Sequence, residues 1–167
     1  MKTKILFFAG ICSLAVLAYS CSKDKNTVPI RILLTDNPTN YDEVNIHIVG
    51  MQVKVSNETW IDITTKDTTL NLLDYQNGVT ELIAQDSIPD GILKEVRFIL
   101  GDDNNIVVGG VTHPLVTPSA ASSGLKIKID KNLEETMNTF VLDFDAAQSV
   151  KEEPDGYKLY PVIKVVN

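Results

Sequence analysis

From Val28 onward, apolar and polar positions alternate with a period of two, the spacing that sends successive side chains to opposite faces of a strand. Ile30, Ile32 and Leu34 share a face against Pro29, Arg31 and Leu33, and the turn-forming run Asp36-Asn37-Pro38-Thr39-Asn40 ends that strand. The next run changes parity part-way along. Val44, Ile46 and Ile48 lie on one parity and Met51, Val53 and Val55 on the other, with Gly50 between them. A regular strand would turn one triplet to solvent. At about 1.5–3 kcal/mol per buried aliphatic side chain, that loss rivals the stability of a small domain. A bulge at Gly50 is therefore expected, with both triplets in one core and a positive φ at the glycine that makes Gly50→Val destabilising.

The rest of the chain continues in short pieces. Thr59 to Ile63 begins a strand, with the lone Trp60 as a core anchor and a sugar platform as the alternative. Leu70 to Leu73 reads as a short apolar strand, Asn77-Gly78 as a turn, and Thr80 to Ala84 as either strand or helical turn. Pro89-Asp90-Gly91 leads into the strand Ile92 to Leu100, and Gly101-Asp102-Asp103-Asn104-Asn105 forms a polar tip. Gly109-Gly110 and His113-Pro114 break the next stretch, and residues 117–124 form a small-residue loop. Leu125, Ile127 and Ile129 alternate with Lys126, Lys128 and Asp130; Phe140, Leu142 and Phe144 alternate with Val141, Asp143 and Asp145. Ala146 to Val150 suits one helical turn. Pro154-Asp155-Gly156 suits a hairpin, and Tyr157 to Val166 a last strand that Pro161 confines to an edge or a bulge. About eight short strands with frequent turns and no long amphipathic helix predict an all-β fold, a single β-sandwich over residues 28–167 with at most short helical turns.

The first twenty-one residues are of another kind. Lys2 and Lys4 precede a charge-free run from Ile5 to Ala18, and Ala18 and Ser20 flank Tyr19 just before Cys21. This is the layout of an export signal, with an apolar stretch too short for a comfortable membrane span. A cut placed before a cysteine resembles the lipobox of bacterial lipoproteins, although Ala18 stands where leucine is usual. The resemblance implies that residues 1–20 are removed and Cys21 is lipidated, making the membrane a partner through that lipid. Residues 21–27 then form a polar tether. Its Ser22-Lys23-Asp24 resembles a signal for the outer face of the outer membrane, with a plain soluble linker as the other reading.

Composition narrows the function further. Removal of residues 1–20 takes two lysines and no acid, so the formal charge moves from −7 to −9. An acidic domain is a poor partner for nucleic acid, which selects clustered cations. Cys12 falls within the leader and Cys21 is committed to lipid, which leaves neither a disulfide framework nor a thiolate metal site.

Catalytic patterns are missing as well. His47 and His113 are the only imidazoles; His47, between Ile46 and Ile48, points away from their face, and His113 precedes a proline in a turn. No HExxH, GxSxG or phosphate-binding glycine loop occurs. No enzyme activity and no cofactor are expected, and a metal-dependent hydrolase is the disfavoured alternative. Asp102 and Asp103, and separately Asp36 with Asp143 and Asp145, are weak candidates for a hard cation such as calcium, against solvated turn acids that bond neighbouring backbone N–H groups. Thr68 and Ser87, each after an aspartate, are glycosylation candidates. Tyr41, Tyr75, Tyr157 and Tyr160 offer rings for sugar stacking or for packing at the core margin.

The ordered segments LLTDNP, YDEVNIHI, NLLDYQNG, IPDGILKEVRFIL, TPSAASSGLKI, FVLDFDAAQSV and YPVIKV resemble the domain of unknown function 4382 family of exported Bacteroidetes-type lipoproteins, from about Val28 to Val166. The resemblance implies a lipid-anchored sandwich of the prealbumin or carboxypeptidase-regulatory kind and carries over no catalytic residue. The reading is a cell-envelope, outer-membrane lipoprotein that binds glycan or protein without catalysis, with a purely structural domain as the alternative.

Overall fold

The structure, a computed structural model, describes residues 26–118 and 124–166. The expected signal segment, Cys21 and nearly all of the tether lie outside the described residues. The described chain is an all-β sandwich. A four-stranded sheet has the order β13-β10-β1-β5, and a nine-stranded sheet runs β11-β12-β8-β7-β2-β6-β9, with β3 and β4 also paired to β2. The strands are β1 (Thr27–Thr35), β2 (Glu43–Val55), β3 (Ile61–Ile63), β4 (Thr68–Asn71), β5 (Glu81–Pro89), β6 (Ile92–Leu100), β7 (Asn105–Val108), β8 (Val111–Val116), β9 (Leu125–Asn132), β10 (Asn138–Phe144), β11 (Val150–Glu153), β12 (Gly156–Leu159) and β13 (Ile163–Val165). A 3-10 turn at Leu72–Tyr75 and a single α-turn, α1 (Ala146–Ser149), are the helical pieces among the described residues. No described helix is long and apolar enough to cross a membrane.

The core lies where alternation places it. Ile30, Ile32 and Leu34 of β1 and Phe140, Leu142 and Phe144 of β10 are buried against Val96 and Phe98 of β6 and the inward side of β2. Phe98 meets Phe144 edge to face, ring centroids 6.4 Å apart, which ties the two sheets together. β1 and β10 run parallel with Thr35 beside Asp143, so the ends of both strands emerge together.

The parity change in β2 is a bulge, as the pattern requires. Val44, Ile46, Ile48, Met51, Val53 and Val55 are all buried. Opposite them the β6 partners step from Leu100 at Ile48 to Ile99 at Gly50, leaving Val49 as the extra residue. The expected backbone strain at Gly50 is corrected. Gly50 is not among the positive-φ glycines, and a Cβ there would meet Ile99 Cδ1 at an ordinary 3.5 Å. The extra residue is absorbed by a bend that any side chain can adopt.

Several local expectations also change. Thr27 already pairs with Pro89, so β1 begins one residue before the expected start. Of the stretch Thr80 to Ala84, Glu81 to Ala84 open strand β5, while Leu72 and Leu73 leave strand geometry for the 3-10 turn. Gly109 and Gly110, both at positive φ, form a two-residue hairpin between β7 and β8. His113-Pro114 lies within β8 and not in a turn. The run after Tyr157 divides at Pro161, with β12 in the large sheet and β13 in the small one. A residue without an N–H suits the crossover, where ladder bonding stops. Because the bulge needs no left-handed backbone, Gly50→Ala should change stability by less than about 0.5 kcal/mol in urea unfolding, whereas Phe98→Ala should cost about 3–5 kcal/mol.

Candidate functional site

Three clusters of polar side chains stand out, and strand register builds each. The first is centred on His47. β4 and β3 pair consecutively along one edge of β2, at residues 45–48 and 51–53, and residues 64–67 between them leave the edge. On the other edge β6 and β7 do the same, with residues 101–104 looping out. Asn104 repairs the gap: its Oδ1 accepts from the backbone N of His47 (2.8 Å) and its Nδ2 donates to the Gly101 carbonyl (2.7 Å). The His47 ring reaches between the two loops. Its Nε2 lies 2.9 Å from Asp67 Oδ1 and its Nδ1 4.0 Å from Asp103 Oδ2. Gly101 packs so closely that a Cβ there would stand 2.2 Å from Nδ1. His47 thus points away from the core, as expected, but into a slot between two loops and not freely to solvent. His113 lies elsewhere, its ring 5.2 Å from that of Tyr157.

The second cluster gathers Asp36, Asp143 and Asp145 at the emerging ends of β1 and β10, all three buried. Asp36 accepts from the Ala146 backbone N (2.9 Å) and from Gln76 Nε2 (3.1 Å). Asp145 caps α1 by accepting from the Gln148 backbone N (2.9 Å), accepts also from the Gln148 side chain, and has Lys164 Nζ at 3.9 Å. Asp143 Oδ2 accepts from Asn37 Nδ2 (2.6 Å), while its buried Oδ1 accepts no hydrogen bond. Burial, and to a smaller degree the Asp143 charge, pushes the Asp36 carboxyl above its ordinary range against three lowering hydrogen bonds. Burial, then the Asp145 charge, raises Asp143.

The structure therefore joins Asp36, Asp143 and Asp145, as the sequence allowed, but their oxygens are largely engaged by protein donors. Asp102 and Asp103 are exposed in the 101–104 loop. No group of three or more His, Cys, Asp or Glu among the described residues is arranged to hold a metal ion. The acid cluster reads as a polar knot that fastens the strand ends to α1.

The third cluster is the outward face of the large sheet. Trp60 is not a core anchor, which corrects the sequence reading. It is half-buried on the outer side, with the Arg97 guanidinium carbon 4.0 Å and Lys126 Nζ 6.0 Å from its ring centroid. Arg97 Nη1 donates to Gln52 Oε1 (3.0 Å), and Gln52 Nε2 donates to Asp62 Oδ1 (2.8 Å). Gly124, at φ +93°, lies against the Arg97 stem, where a Cβ would come within 2.5 Å of Cδ. Parity carried the missed signal: Ile61 and Ile63 face inward, so Trp60 and Asp62 face out.

The remaining candidates are separate from these clusters. Tyr41, Tyr75 and Tyr157 pack against the core, while Tyr160 is exposed and donates to Glu153 Oε1 (2.9 Å). Thr68 is half-buried in β4; Ser87 is exposed on β5, next to Asp86, whose carboxylate is held low by hydrogen bonds from Thr64 and from the Ser87 N–H. A cleft of about 660 Å³ lined by Asn26, Val28, Asp90, Ile92, Leu133 and Glu135 opens where the chain enters the fold.

The two sheets and their shared core define the class, an all-β sandwich. Residues 27–161 match the family described as Domain of unknown function (DUF4382), and the chain belongs to that family. Neither the curated proteins nor the solved structures give a match.

Two outcomes test the electrostatics and packing. Gly101→Ala should cost about 1–3 kcal/mol through overpacking against the imidazole, and His47→Ala should recover part of that loss in a double-mutant cycle by urea unfolding. Asp143→Asn should raise the melting temperature at pH 7. With its folded pKa raised above the ordinary 3.8, Asp143 holds its proton to higher pH in the native state than in the unfolded chain. Its contribution to stability therefore declines as pH rises from about 3.8 through the folded pKa. The advantage of the neutral amide should be largest at pH 7 and shrink as the pH is lowered towards 3.8.

Proposed function

We propose that this protein is a lipid-anchored, non-catalytic binding module of the cell envelope, held by Cys21 in the outer membrane, and that it takes glycan on the outward face of its large sheet. The observation that carries this reading is the placement of the only tryptophan outside the core, among the hydrogen-bonding side chains of Gln52, Asp62 and Arg97. A core tryptophan contributes burial. A tryptophan held on the outer side of a sheet contributes a ring against which the apolar face of a sugar stacks while neighbouring amides and charges meet its hydroxyls. Arg97 and, farther off, Lys126 stand over that ring as cations. The separate engagement of the two imidazoles, His47 with Asp67 and His113 beside Tyr157, supports a role without catalysis.

A protein partner is a second reading, favoured by an apolar row across the outer side of the small sheet. Leu33 pairs with both Leu82 and Val141, and the Val166 N–H donates to the Val141 carbonyl. Leu82 and Val166 at the ends of that row are 44% and 53% exposed. The glycan reading ranks first because it involves directed polar groups as well as apolar area.

One experiment tests anchor and site together. The full chain should partition with the outer membrane and be retained by immobilised polysaccharides, whereas Cys21→Ser should lose acylation and the membrane fraction. Trp60→Ala should lose polysaccharide retention with its melting temperature within a few degrees of the parent. Unchanged retention by Trp60→Ala would sink the glycan site, and unchanged mass and partitioning of Cys21→Ser would sink the anchor.

A further inference from the structure

Strand register places two polar rows side by side around Trp60. One runs Asp62 on β3, Gln52 on β2, Arg97 on β6 and Lys126 on β9. The next runs Lys54, Glu95 and Lys128 across β2, β6 and β9. Their neighbours Val53, Val96 and Ile127 are buried, so the intervening side chains share the outward face. Within these two rows Lys54, Arg97, Lys126 and Lys128 stand beside Asp62 and Glu95, four cations to two acids, in a chain whose formal charge is −7.

These cations are little neutralised from within. Glu95 lies 4.0 Å from Lys54, and Asp62 accepts from the Gln52 amide. Among the described residues no ion pair engages Arg97, Lys126 or Lys128. Arg97 Nε is buried without an acceptor, and Lys126 and Lys128 are exposed on β9 at the sheet edge. A concentration of cations beside the one outward tryptophan, in an otherwise acidic domain, has the signature of a site for negative charge. Acids elsewhere on the molecule interfere little, since exposed charges are screened beyond about 10 Å at 0.1 M salt.

We propose that this face selects an anionic polysaccharide. A sugar ring lies on Trp60, and the carboxylate or sulfate of the same or the adjacent residue is held by Arg97, Lys126 and Lys128. This inference rests on the glycan reading above and adds the class of sugar. Charge-assisted hydrogen bonds to an acidic group are stronger than those to hydroxyls and lose strength with salt, which gives the selection a readable signature. Charge alone would also draw nucleic acid, but one ring and one short basic row provide neither the repeated stacking platforms nor the continuous groove that single strands use.

The test compares the full chain in detergent for binding to polygalacturonate, heparin, a neutral galactan and a single-stranded oligonucleotide. The expected result is binding to one or both acidic polysaccharides at least roughly tenfold tighter than to galactan, with affinity falling steeply as salt is raised. Preference for polygalacturonate identifies a carboxylate ligand, and preference for heparin a sulfate. The double variant Lys126→Gln, Lys128→Gln, on exposed edge positions, should lose the acidic preference and the salt dependence with its melting temperature unchanged. Trp60→Ala should weaken binding to every polysaccharide. Equal, salt-insensitive and Trp60-dependent binding to acidic and neutral chains would overturn this inference and leave the glycan reading standing. Absence of binding to any polysaccharide would overturn both. Equal binding to the oligonucleotide would replace sugar selection with a general affinity for polyanions, and acid preference that survives the double lysine variant would remove the site from this face.

Discussion

The inward facing of both halves of β2 is the constraint on which the rest of the architecture depends. Six large aliphatic side chains, from Val44 to Val55, are buried along that strand, and they reach one core only because Val49 is extruded from the ladder. Near that point both flanking partners are interrupted, β3 from β4 on one edge and β6 from β7 on the other. The extruded segment 64–67 does not end in solvent. Thr65 bridges Ala84, Lys66 N–H donates to the Ile83 carbonyl (3.1 Å), and Gln85 N–H donates to the Thr64 carbonyl (3.2 Å). Asp86 completes the junction by accepting from both the N–H and the hydroxyl of Thr64, each at 2.8 Å. The irregularity of one sheet thereby covers part of the edge of the other, a way of managing an exposed edge strand.

This explains which parts of the structure were legible in the sequence. Period-two alternation identifies most inward faces, and the parity break at Gly50 locates the bulge because burying both triplets outweighs ladder regularity. The same arithmetic did not predict glycine strain at Gly50, since parity counts residues and says nothing of φ. Trp60 shows a conflict between two signals. Its residue type favours the interior, while its parity with Asp62, opposite to Ile61 and Ile63, favours the surface, and the structure follows parity.

The meeting of Asp36 with Asp143 lay beyond local pattern altogether. It depends on the parallel pairing of β1 with β10, whose partners Thr35 and Asp143 are distant in sequence, and parallel neighbours are not announced by a turn. The division of the last strand at Pro161 was half legible. The proline marks an irregularity, but only the sheet order shows that the chain changes sheets there.

Charge is sorted across this frame in a way that net charge conceals. The three buried carboxylates are held by donors from Ala146, Gln76, Asn37 and Gln148, so they act within the fold. The cations around Trp60 stand on consecutive rows of paired strands, where backbone ladders fix their spacing before any ligand arrives. Arg97 is braced further by Gln52, by the ring of Trp60 and by the chain at Gly124. An ordered guanidinium loses less freedom on binding than a free one, so more of its interaction appears as affinity. Lys126 and Lys128, exposed on the neighbouring edge strand, keep theirs. For the glycan site proposed above, one braced cation and one fixed ring would place a sugar while two exposed cations followed an acidic group whose position varies along a chain. That division of labour requires a regular ladder, which β2 keeps with β6 from Gly50 to Lys54, between the bulge at Val49 and a second register shift at Val55.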